Sequence, residues 1–194
     1  MSIRILGGQF KGIPLQSPSG KNTRPTLSMV REAVFNMCQN KLQEAHFLDV
    51  FAGTGAMGLE AISRGASSAT FLEKERKALE AIHQNIKKLE VREQTKVFSQ
   101  DVFSSLKKLE PSLFDIVYID PPYGEKKQEA QSEKIVCQIL HYLDTQLYLA
   151  PDAWVFLEFS IYSSFDFNSL DLKTLKLTDV RTFARTKLHL FKKT

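Results

Sequence analysis

Cysteine is scarce in this chain of 194 residues, where Cys38 and Cys137 are the two examples. They form no CxxC pair, so the sequence indicates neither a disulfide framework nor a zinc site, and it fits a reducing cytoplasm. Long apolar runs are missing too, since no segment approaches the roughly 20 residues of a transmembrane helix and the first residues lack the apolar stretch of a signal peptide. We therefore expect a soluble, cytoplasmic protein.

Acidic residues are absent from the first 31 positions, which contain five basic residues. From residue 173 onward seven basic residues accompany a single acid, whereas positions 32–172 hold 14 basic and 21 acidic residues. Because phosphate contacts supply most non-specific affinity for nucleic acids, the two basic ends suggest a polyanionic partner, with solubilising surface charge as the alternative. With 43% hydrophobic residues, the length fits a single domain over 1–194, divided into a basic extension (1–40) and a core (41–194).

Apolar periodicity divides the rest of the chain into alternating strands and amphipathic helices. Near-continuous apolar strands separated by helices are typical of a mostly parallel sheet with helices on both faces, so we predict an α/β fold. An antiparallel hairpin is expected at the C-terminus, and a small β-hairpin and helix at the N-terminus. The predicted strands are 46–51, 70–73, 96–100, 114–120 and 154–160, with hairpin strands 174–177 and 187–191, and the predicted helices are 26–40, 57–64, 74–90, 102–109 and 133–147.

A glycine-rich loop joins the first central strand to a helix. It has the pattern Gly53-x-Gly55-x-x-Gly58, and glycines between a strand and a helix allow a tight turn and close approach of a nucleotide-type ligand. Glu73 ends the next strand about twenty residues further on, where a carboxylate can bind both ribose hydroxyls. A glycine turn without a ligand is the alternative, and it is weaker because strand, loop, helix and acid occur together.

The residues beside this loop discriminate between two kinds of ligand. A dinucleotide places a pyrophosphate against the loop, whereas S-adenosylmethionine places an ammonium, a carboxylate and a sulfonium there. Asp49, four residues before Gly53, would repel the pyrophosphate and attract the ammonium, which favours S-adenosylmethionine. Asp101 could bind the adenine amino group with Val102 beside the ring, although capping the helix that starts at residue 102 is an equally good role and compatible with the first.

A second motif, Asp120-Pro121-Pro122-Tyr123, follows the apolar run 114–119. The prolines lack an amide hydrogen and stiffen the turn, so both of its proline carbonyls are expected to lack local partners and to accept hydrogen bonds from an exocyclic amino group. Tyr123 can stack on a planar base while Asp120 polarises the amine. A strand stop followed by a proline turn would explain the same residues, and the motif alone does not decide between the two.

Both motifs resemble those of Rossmann-like, S-adenosylmethionine-dependent methyltransferases that act on amino groups of nucleobases. A narrower resemblance covers nearly the whole chain, because residues 4–12, 24–26, 30–36 and 49–66 are similar to the RsmD family, ribosomal small-subunit methyltransferase D. The resemblance implies methylation of N2 of one guanine in the 16S rRNA of an assembling small subunit. The C-terminal hairpin matches less clearly, and Tyr123 occupies a position where phenylalanine is common.

The motifs and the resemblance together define a candidate site without a metal. Because an amine that attacks a sulfonium methyl acquires positive charge, Asp120 and the Pro121 carbonyl would lower the barrier by accepting its N–H bonds. The N-terminal residues would contact RNA, or would form an edge hairpin that only covers the sheet. The candidate catalytic residues are Asp120, Pro121, Pro122 and Tyr123, the candidate cofactor residues are Asp49, Phe51, Gly53, Thr54, Gly55, Glu73, Asp101 and Val102, and the candidate RNA contacts are Phe10, Lys11, Arg24 and Arg31.

Three other functions remain open from the sequence. The nearest is an amino-methyltransferase for adenine or cytosine in DNA, which could use the same tetrapeptide. A nicotinamide-dependent oxidoreductase is disfavoured by Asp49 and by the Asp-Pro-Pro-Tyr motif. A noncatalytic RNA-binding assembly factor would not require both motifs intact. We expect a monomer whose partner is 16S rRNA in an assembling small subunit.

Overall fold

The computed structural model describes residues 3–17, 25–109, 113–122, 126–146 and 148–194. The chain divides into two compact units, an N-terminal unit (Met1–Lys108) and a C-terminal unit (Leu109–Thr194). None of the helices in the described ranges is both long and apolar enough to span a membrane. The N-terminal unit contains helices α1 (Pro25–Met37), α2 (Ala56–Ser63), α3 (Arg76–Leu89) and α4 (Val102–Leu106) and strands β1 (His46–Val50), β2 (Ser68–Leu72) and β3 (Thr95–Phe98). The C-terminal unit contains helix α5 (Lys126–Thr145) and strands β4 (Phe114–Ile119), β5 (Leu149–Ser160), β6 (Leu175–Phe183) and β7 (Thr186–Lys193).

Three parallel strands form the centre of the N-terminal unit, in the order β3-β2-β1. Strand β1 pairs residue for residue with Ser68–Leu72 of β2, and its last four residues are buried. Because parallel strands end at the same edge of a sheet, the residues that follow them emerge at one edge. Those residues are the glycine loop after β1, Glu73 after β2 and Asp101 after β3.

Helix α3 buries one side of its surface. It begins after Glu75, whose side chain accepts a hydrogen bond from the Ala78 amide at 2.7 Å and caps the helix. Its buried residues recur at helical spacing: Ala78, Ala81, Ile82, Asn85, Ile86 and Leu89. Asn85 is the one polar member of this set, so its amide must find hydrogen-bond partners inside the fold.

Residues 3–17 form a hairpin-like segment, called the N-terminal hairpin below. Arg4 and Pro14 make an antiparallel bridge across it. Ile5 and Leu15 are buried, with 1% and 4% of their surfaces exposed. Burial of these two apolar side chains attaches the segment to the N-terminal unit.

The C-terminal unit combines a parallel strand pair, β4 and β5, with an antiparallel hairpin in the order β5-β7-β6. The predicted C-terminal hairpin is present, but its strands are longer than 174–177 and 187–191. Strand β6 continues to Phe183, with an irregularity in pairing between Leu177 and Asp179. Most of its second half is exposed, so it lacks the apolar alternation that indicates a strand, and pairing with the buried strand β7 forms it instead.

Candidate active site

The glycine loop is a tight turn from strand β1 into helix α2. Gly53 and Gly55 have positive φ angles of 56° and 74°, and Gly55 is the N-cap residue of α2. Residues with a side chain rarely adopt this left-handed backbone conformation, which explains why glycine occupies both positions. Phe51 adopts it as well, with φ of 65°. Non-glycine residues in this region are uncommon and concentrate at functional loops, so Phe51 marks the loop as a candidate site.

Glu73 is hydrogen-bonded to the glycine loop. Its Oε2 accepts from the Gly53 amide at 2.8 Å, and its Oε1 accepts from the amides of Lys74 and Glu75, each at 2.8 Å. The carboxylate is half-buried. The acid predicted to bind ribose therefore lies against the loop predicted to bind the cofactor, and backbone amides hold it there.

Asp49 lies beneath the loop rather than on its surface. It is 2% exposed, and its Oδ2 accepts a hydrogen bond from the Gly58 amide at 3.0 Å. Burial raises the pKa of this carboxyl to about 8, the Gly58 amide opposes the shift, and the charge of Glu73 adds to it. Burial therefore favours the protonated form of this carboxyl. Contact between Asp49 and a cofactor stays a prediction.

Asp101 caps helix α4, which is the alternative role that the sequence left open. Its Oδ1 accepts from the amides of Phe103 and Ser104, both at 3.1 Å. Hydrogen bonds from Ser104 are the main reason that the pKa of this exposed carboxyl lies below its usual range. The capping geometry leaves Val102 as the first residue of the helix. Contact of Asp101 and Val102 with adenine stays a prediction.

The Asp-Pro-Pro turn follows the buried strand β4 in the C-terminal unit. Asp120 is half-buried, Pro121 is buried and Pro122 is exposed, while Tyr123 lies outside the described residues. The Pro122 carbonyl accepts a hydrogen bond from Oγ of Ser132 in α5 at 3.1 Å. The expectation that both proline carbonyls lack local partners is therefore wrong for Pro122, because α5 supplies a donor.

Two buried polar residues of the C-terminal unit were missed by the sequence analysis. The Tyr118 hydroxyl, on β4, donates a hydrogen bond to Glu158 on β5. The exposed fraction is 4% for Tyr118 and 6% for Glu158. Tyr118 stands two positions before Asp120. A glutamate inside the apolar run 154–159 was the available signal, since charged residues are rarely buried without a partner.

The candidate RNA contacts of the N-terminal unit differ in accessibility. Lys11 is exposed and Phe10 is half-buried, whereas Arg24 lies outside the described residues. Arg31 is 5% exposed, and its guanidinium donates to the Arg4 carbonyl and lies 3.8 Å from Glu60. The charge of Arg31 is therefore paired inside the fold, and Lys11 is the predicted RNA contact that the structure exposes.

Helix α2 holds the N-terminal hairpin at the end opposite the glycine loop. Ser63 accepts from the Gln9 amide through its carbonyl at 2.8 Å, and its hydroxyl donates to the Gly7 carbonyl at 2.6 Å. A Cβ at Gly8 would lie 1.7 Å from the Ser63 carbonyl oxygen, so this close approach requires glycine. Buried Glu60 accepts from the Leu6 amide at 2.7 Å. These contacts attach the hairpin to helix α2, whereas Lys11 and Gly12 at its tip are exposed.

Solved structures share this fold. The Escherichia coli protein yhhF is 27% identical with a TM-score of 0.81, covering 100% of this chain and 98% of its own. The 16S rRNA N2 G1207 methyltransferase RsmC of T. thermophilus, solved with AdoMet and guanosine, is 18% identical with a TM-score of 0.72, covering 100% of this chain and 50% of its own. The predicted fold class is confirmed: it is the Rossmann-like α/β fold of S-adenosylmethionine-dependent methyltransferases, and yhhF is named a putative methyltransferase.

The chain belongs to the RsmD family. The family model described as conserved hypothetical protein 95 matches residues 3–192. Ribosomal RNA small subunit methyltransferase D of Escherichia coli K12 is 34% identical over 156 residues, which are 80% of this chain and 74% of that protein. Its counterpart in Buchnera aphidicola of Acyrthosiphon pisum is 30% identical over 156 residues, 80% of this chain and 77% of that protein. The resemblance seen in the sequence is confirmed, and the roles of single residues stay predictions.

Proposed function

We propose that this protein methylates the exocyclic N2 amine of a specific guanine in the 16S rRNA of the small ribosomal subunit, with S-adenosylmethionine as methyl donor. The relatives at 30–34% identity are named ribosomal RNA small subunit methyltransferases. The observation that supports amine chemistry is the half-exposed carboxylate of Asp120, followed by two prolines, at the end of the buried strand β4. The family relationship supports this choice of base and position, and the experiment below tests it.

Asp120 and the Pro121 carbonyl are the proposed partners of the amine. Guanine N2 is a poor nucleophile because its lone pair is delocalised into the ring, and it acquires positive charge as the new bond forms. Two acceptors on its N–H bonds would localise the lone pair and stabilise that charge. When bound, S-adenosylmethionine would supply the methyl group and keep the electron pair of the broken carbon–sulfur bond. The methylated amine would then release one proton to water. Tyr123 would stack on the flipped base, and Pro122, bonded to Ser132, would keep the turn rigid.

The glycine loop and Glu73 are the proposed cofactor site. The Glu73 carboxylate would accept hydrogen bonds from both ribose hydroxyls while backbone amides keep its position. Phe51, Gly53, Thr54 and Gly55 would contact the methionine part through the loop backbone, which Asp49 supports from below. Asp101 and Val102 would border the adenine ring.

The N-terminal hairpin is the proposed RNA contact of the N-terminal unit. Lys11 is exposed at its tip, where Gly12 has open space around it, and Phe10 is half-buried beside it. A lysine at an exposed tip can neutralise a phosphate. Arg24 belongs to the same proposal, whereas Arg31 would act by holding the hairpin through the Arg4 carbonyl.

Methyl transfer from labelled S-adenosylmethionine tests this function directly. Naked 16S rRNA, small-subunit particles, complete ribosomes and duplex DNA are offered in parallel, and the modified base is mapped by nuclease digestion and mass spectrometry. We expect label on N2 of one guanine in small-subunit rRNA. Label on adenine or cytosine of DNA would replace the proposal with the DNA amino-methyltransferase. Cofactor binding without transfer to any substrate would instead support an assembly factor.

A further inference from the structure

Asn85 joins two parts of the N-terminal unit that are far apart in sequence. Its Nδ2 donates to the carbonyl of Thr54 in the glycine loop and to the carbonyl of Gln16 at the end of the N-terminal hairpin, each at 3.0 Å. Its Oδ1 accepts from the Gln16 amide at 2.7 Å. One side chain therefore pairs with both backbone groups of Gln16, as a neighbouring strand would, and also with the loop.

The hydrogen-bonding capacity of this amide is matched to its partners. An asparagine has two N–H donors on nitrogen and an oxygen that accepts, and here both donors face carbonyls while the oxygen faces an amide. The reverse orientation would place oxygen against two carbonyl oxygens, so the network determines which atom is nitrogen. Asn85 is 0% exposed, and its neighbours Ile82 and Ile86 in α3 are buried as well. The bridge is thus held by a packed helix and excluded from water.

We propose that Asn85 is a positioning residue that couples cofactor binding in the glycine loop to the conformation of the N-terminal hairpin. This coupling rests on the proposed function of the glycine loop as the cofactor site, and it does not depend on RNA binding. A ligand that contacts the loop backbone restricts the Thr54 carbonyl. Asn85 is hydrogen-bonded both to that carbonyl and to the backbone of Gln16. Restricting the Thr54 carbonyl therefore also restricts Gln16. Occupancy of the loop then orders the segment that presents Lys11.

The hairpin is a suitable receiver for such coupling. Ile5 and Leu15 are the large apolar side chains that it buries below 5% exposure, while Gln9, Lys11 and Gly12 are exposed. Segments with few buried apolar contacts open locally at low free-energy cost, so a small additional restraint changes their opening equilibrium measurably. Ligand binding that removes such freedom can couple two sites without a change in the average structure.

Hydrogen exchange followed by mass spectrometry tests the coupling, with S-adenosylhomocysteine as the probe. In the wild-type protein we expect saturating ligand to slow exchange both in the glycine loop and in peptides covering residues 3–17, the latter by about fivefold or more. In Asn85→Ala, ligand still binds by calorimetry and still protects the loop, but protection of residues 3–17 is lost. A residue that only stabilised the fold would not produce this selective loss.

Lys88→Ala is the matched control, because Lys88 also lies in α3 and forms a hydrogen bond to the N-terminal hairpin. Its Nζ donates to the Pro14 carbonyl at 2.7 Å without a contact to the loop, so this variant should keep the response of the hairpin to ligand. Gln16→Pro removes the amide hydrogen that Asn85 accepts and also fixes φ at residue 16. It is the second variant if Asn85→Ala does not fold, and it should weaken the response. An unresponsive wild-type hairpin, or an equal loss in Lys88→Ala, would overturn the proposal. Either result would leave methyl transfer to rRNA untouched, which separates this inference from the proposed function.

Discussion

Asp49 shows how burial changes the role of a charged residue. From sequence its carboxylate was expected to face the ligand as an anion, but it lies beneath the loop with 2% exposure and accepts from the Gly58 amide. Because burial raises the pKa of this acid to about 8, its protonated form is favoured in the folded protein below that pH. The unfolded chain releases that proton near pH 4, so folding becomes less favourable as pH rises between the two values.

Asp49→Asn should remove this pH dependence. The asparagine oxygen can still accept from Gly58, and the neutral amide replaces a protonated acid of similar shape. Relative to the variant, the wild-type free energy of unfolding should fall by up to about 1.4 kcal/mol per pH unit between roughly pH 4 and 8, and no further above pH 8. Urea unfolding at several pH values measures it, with exposed Glu93→Gln as the control. A constant difference between wild type and Asp49→Asn would show that Asp49 folds ionised.

Asp120→Ala should nearly abolish methyl transfer. Loss of one preorganised polar partner of the developing charge costs on the order of a hundredfold or more in rate. Affinity for S-adenosylhomocysteine, measured by calorimetry, should change only a few-fold, since the glycine loop and Glu73 are intact.

Asp120→Asn separates charge from hydrogen bonding at the same position. The amide keeps one acceptor oxygen without negative charge, so its rate should lie between those of wild type and Asp120→Ala. If Asp120→Ala turned over substrate at nearly the wild-type rate, Asp120 would have no part in the reaction.

At the scale of elements, one aspartate connects helix α5 to the start of strand β6. Asp144, 7% exposed, accepts from the amides of Lys173, Thr174 and Leu175 at 2.6, 2.8 and 2.8 Å, and from the Thr174 hydroxyl at 2.8 Å. Burial raises the pKa of this carboxyl, but the hydrogen bonds outweigh burial and hold the pKa below its usual range. The ionised form is therefore the one that stabilises this connection.

Asp144→Asn should destabilise the protein by about 3 kcal/mol at neutral pH, because the amide presents a donor to at least one backbone N–H. A depressed pKa contributes stability above the unfolded value near 3.9, and that contribution is lost as pH falls through the folded pKa. The deficit of the variant should therefore shrink towards pH 3 or below. Chemical unfolding at both pH values measures it, with exposed Asp171→Asn as the control. An equal deficit at both would assign the loss to shape rather than charge.

The order and type of the central elements could be predicted from sequence, because their apolar residues repeat with strand or helix periods. The predicted helix 74–90 agrees with α3, and the predicted strand 114–120 with β4, to within two residues at each end. Helix α5 starts at Lys126 rather than at 133. The sequence did not indicate this start, because residues 126–132 are mostly polar and show no helical period.

Side-chain pairs across elements were beyond reach from sequence. The bonds of Asn85 to Gln16 and of Ser132 to Pro122 join residues whose neighbourhood depends on tertiary packing. The tight turn of the glycine loop could be predicted, because glycine readily adopts the left-handed backbone that such a turn requires. The burial of Asp49 could not, since it depends on how the loop and helix α2 pack over strand β1.

Over the whole chain, the basic ends contain residues of two kinds. At the C-terminus, Nζ of Lys192 lies 4.1 Å from the ring centroid of Trp154, and Nζ of Lys193 donates to the Leu149 carbonyl at 2.9 Å. Arg31 at the N-terminal end is likewise paired inside the fold. Lys11 and Arg185 are exposed. Net charge by itself therefore overstates how many cations a polyanion could meet, and the exposed ones are the residues to test.

Lys11→Ala should weaken RNA binding without lowering the melting temperature, because its exposed side chain stands at the tip of the hairpin. Each lost phosphate contact should reduce the slope of log affinity against log salt by about 0.7–0.9. Arg185→Ala applies the same measurement to the C-terminal hairpin, and Lys107→Ala, exposed in the acidic middle of the chain, is the control. Binding of 16S rRNA is titrated across a salt series for each variant, with melting curves recorded in parallel. A reduced slope for Lys11→Ala alone would place the phosphate contact at the N-terminal end, whereas an unchanged slope with a lowered melting temperature would show that the hairpin is purely structural.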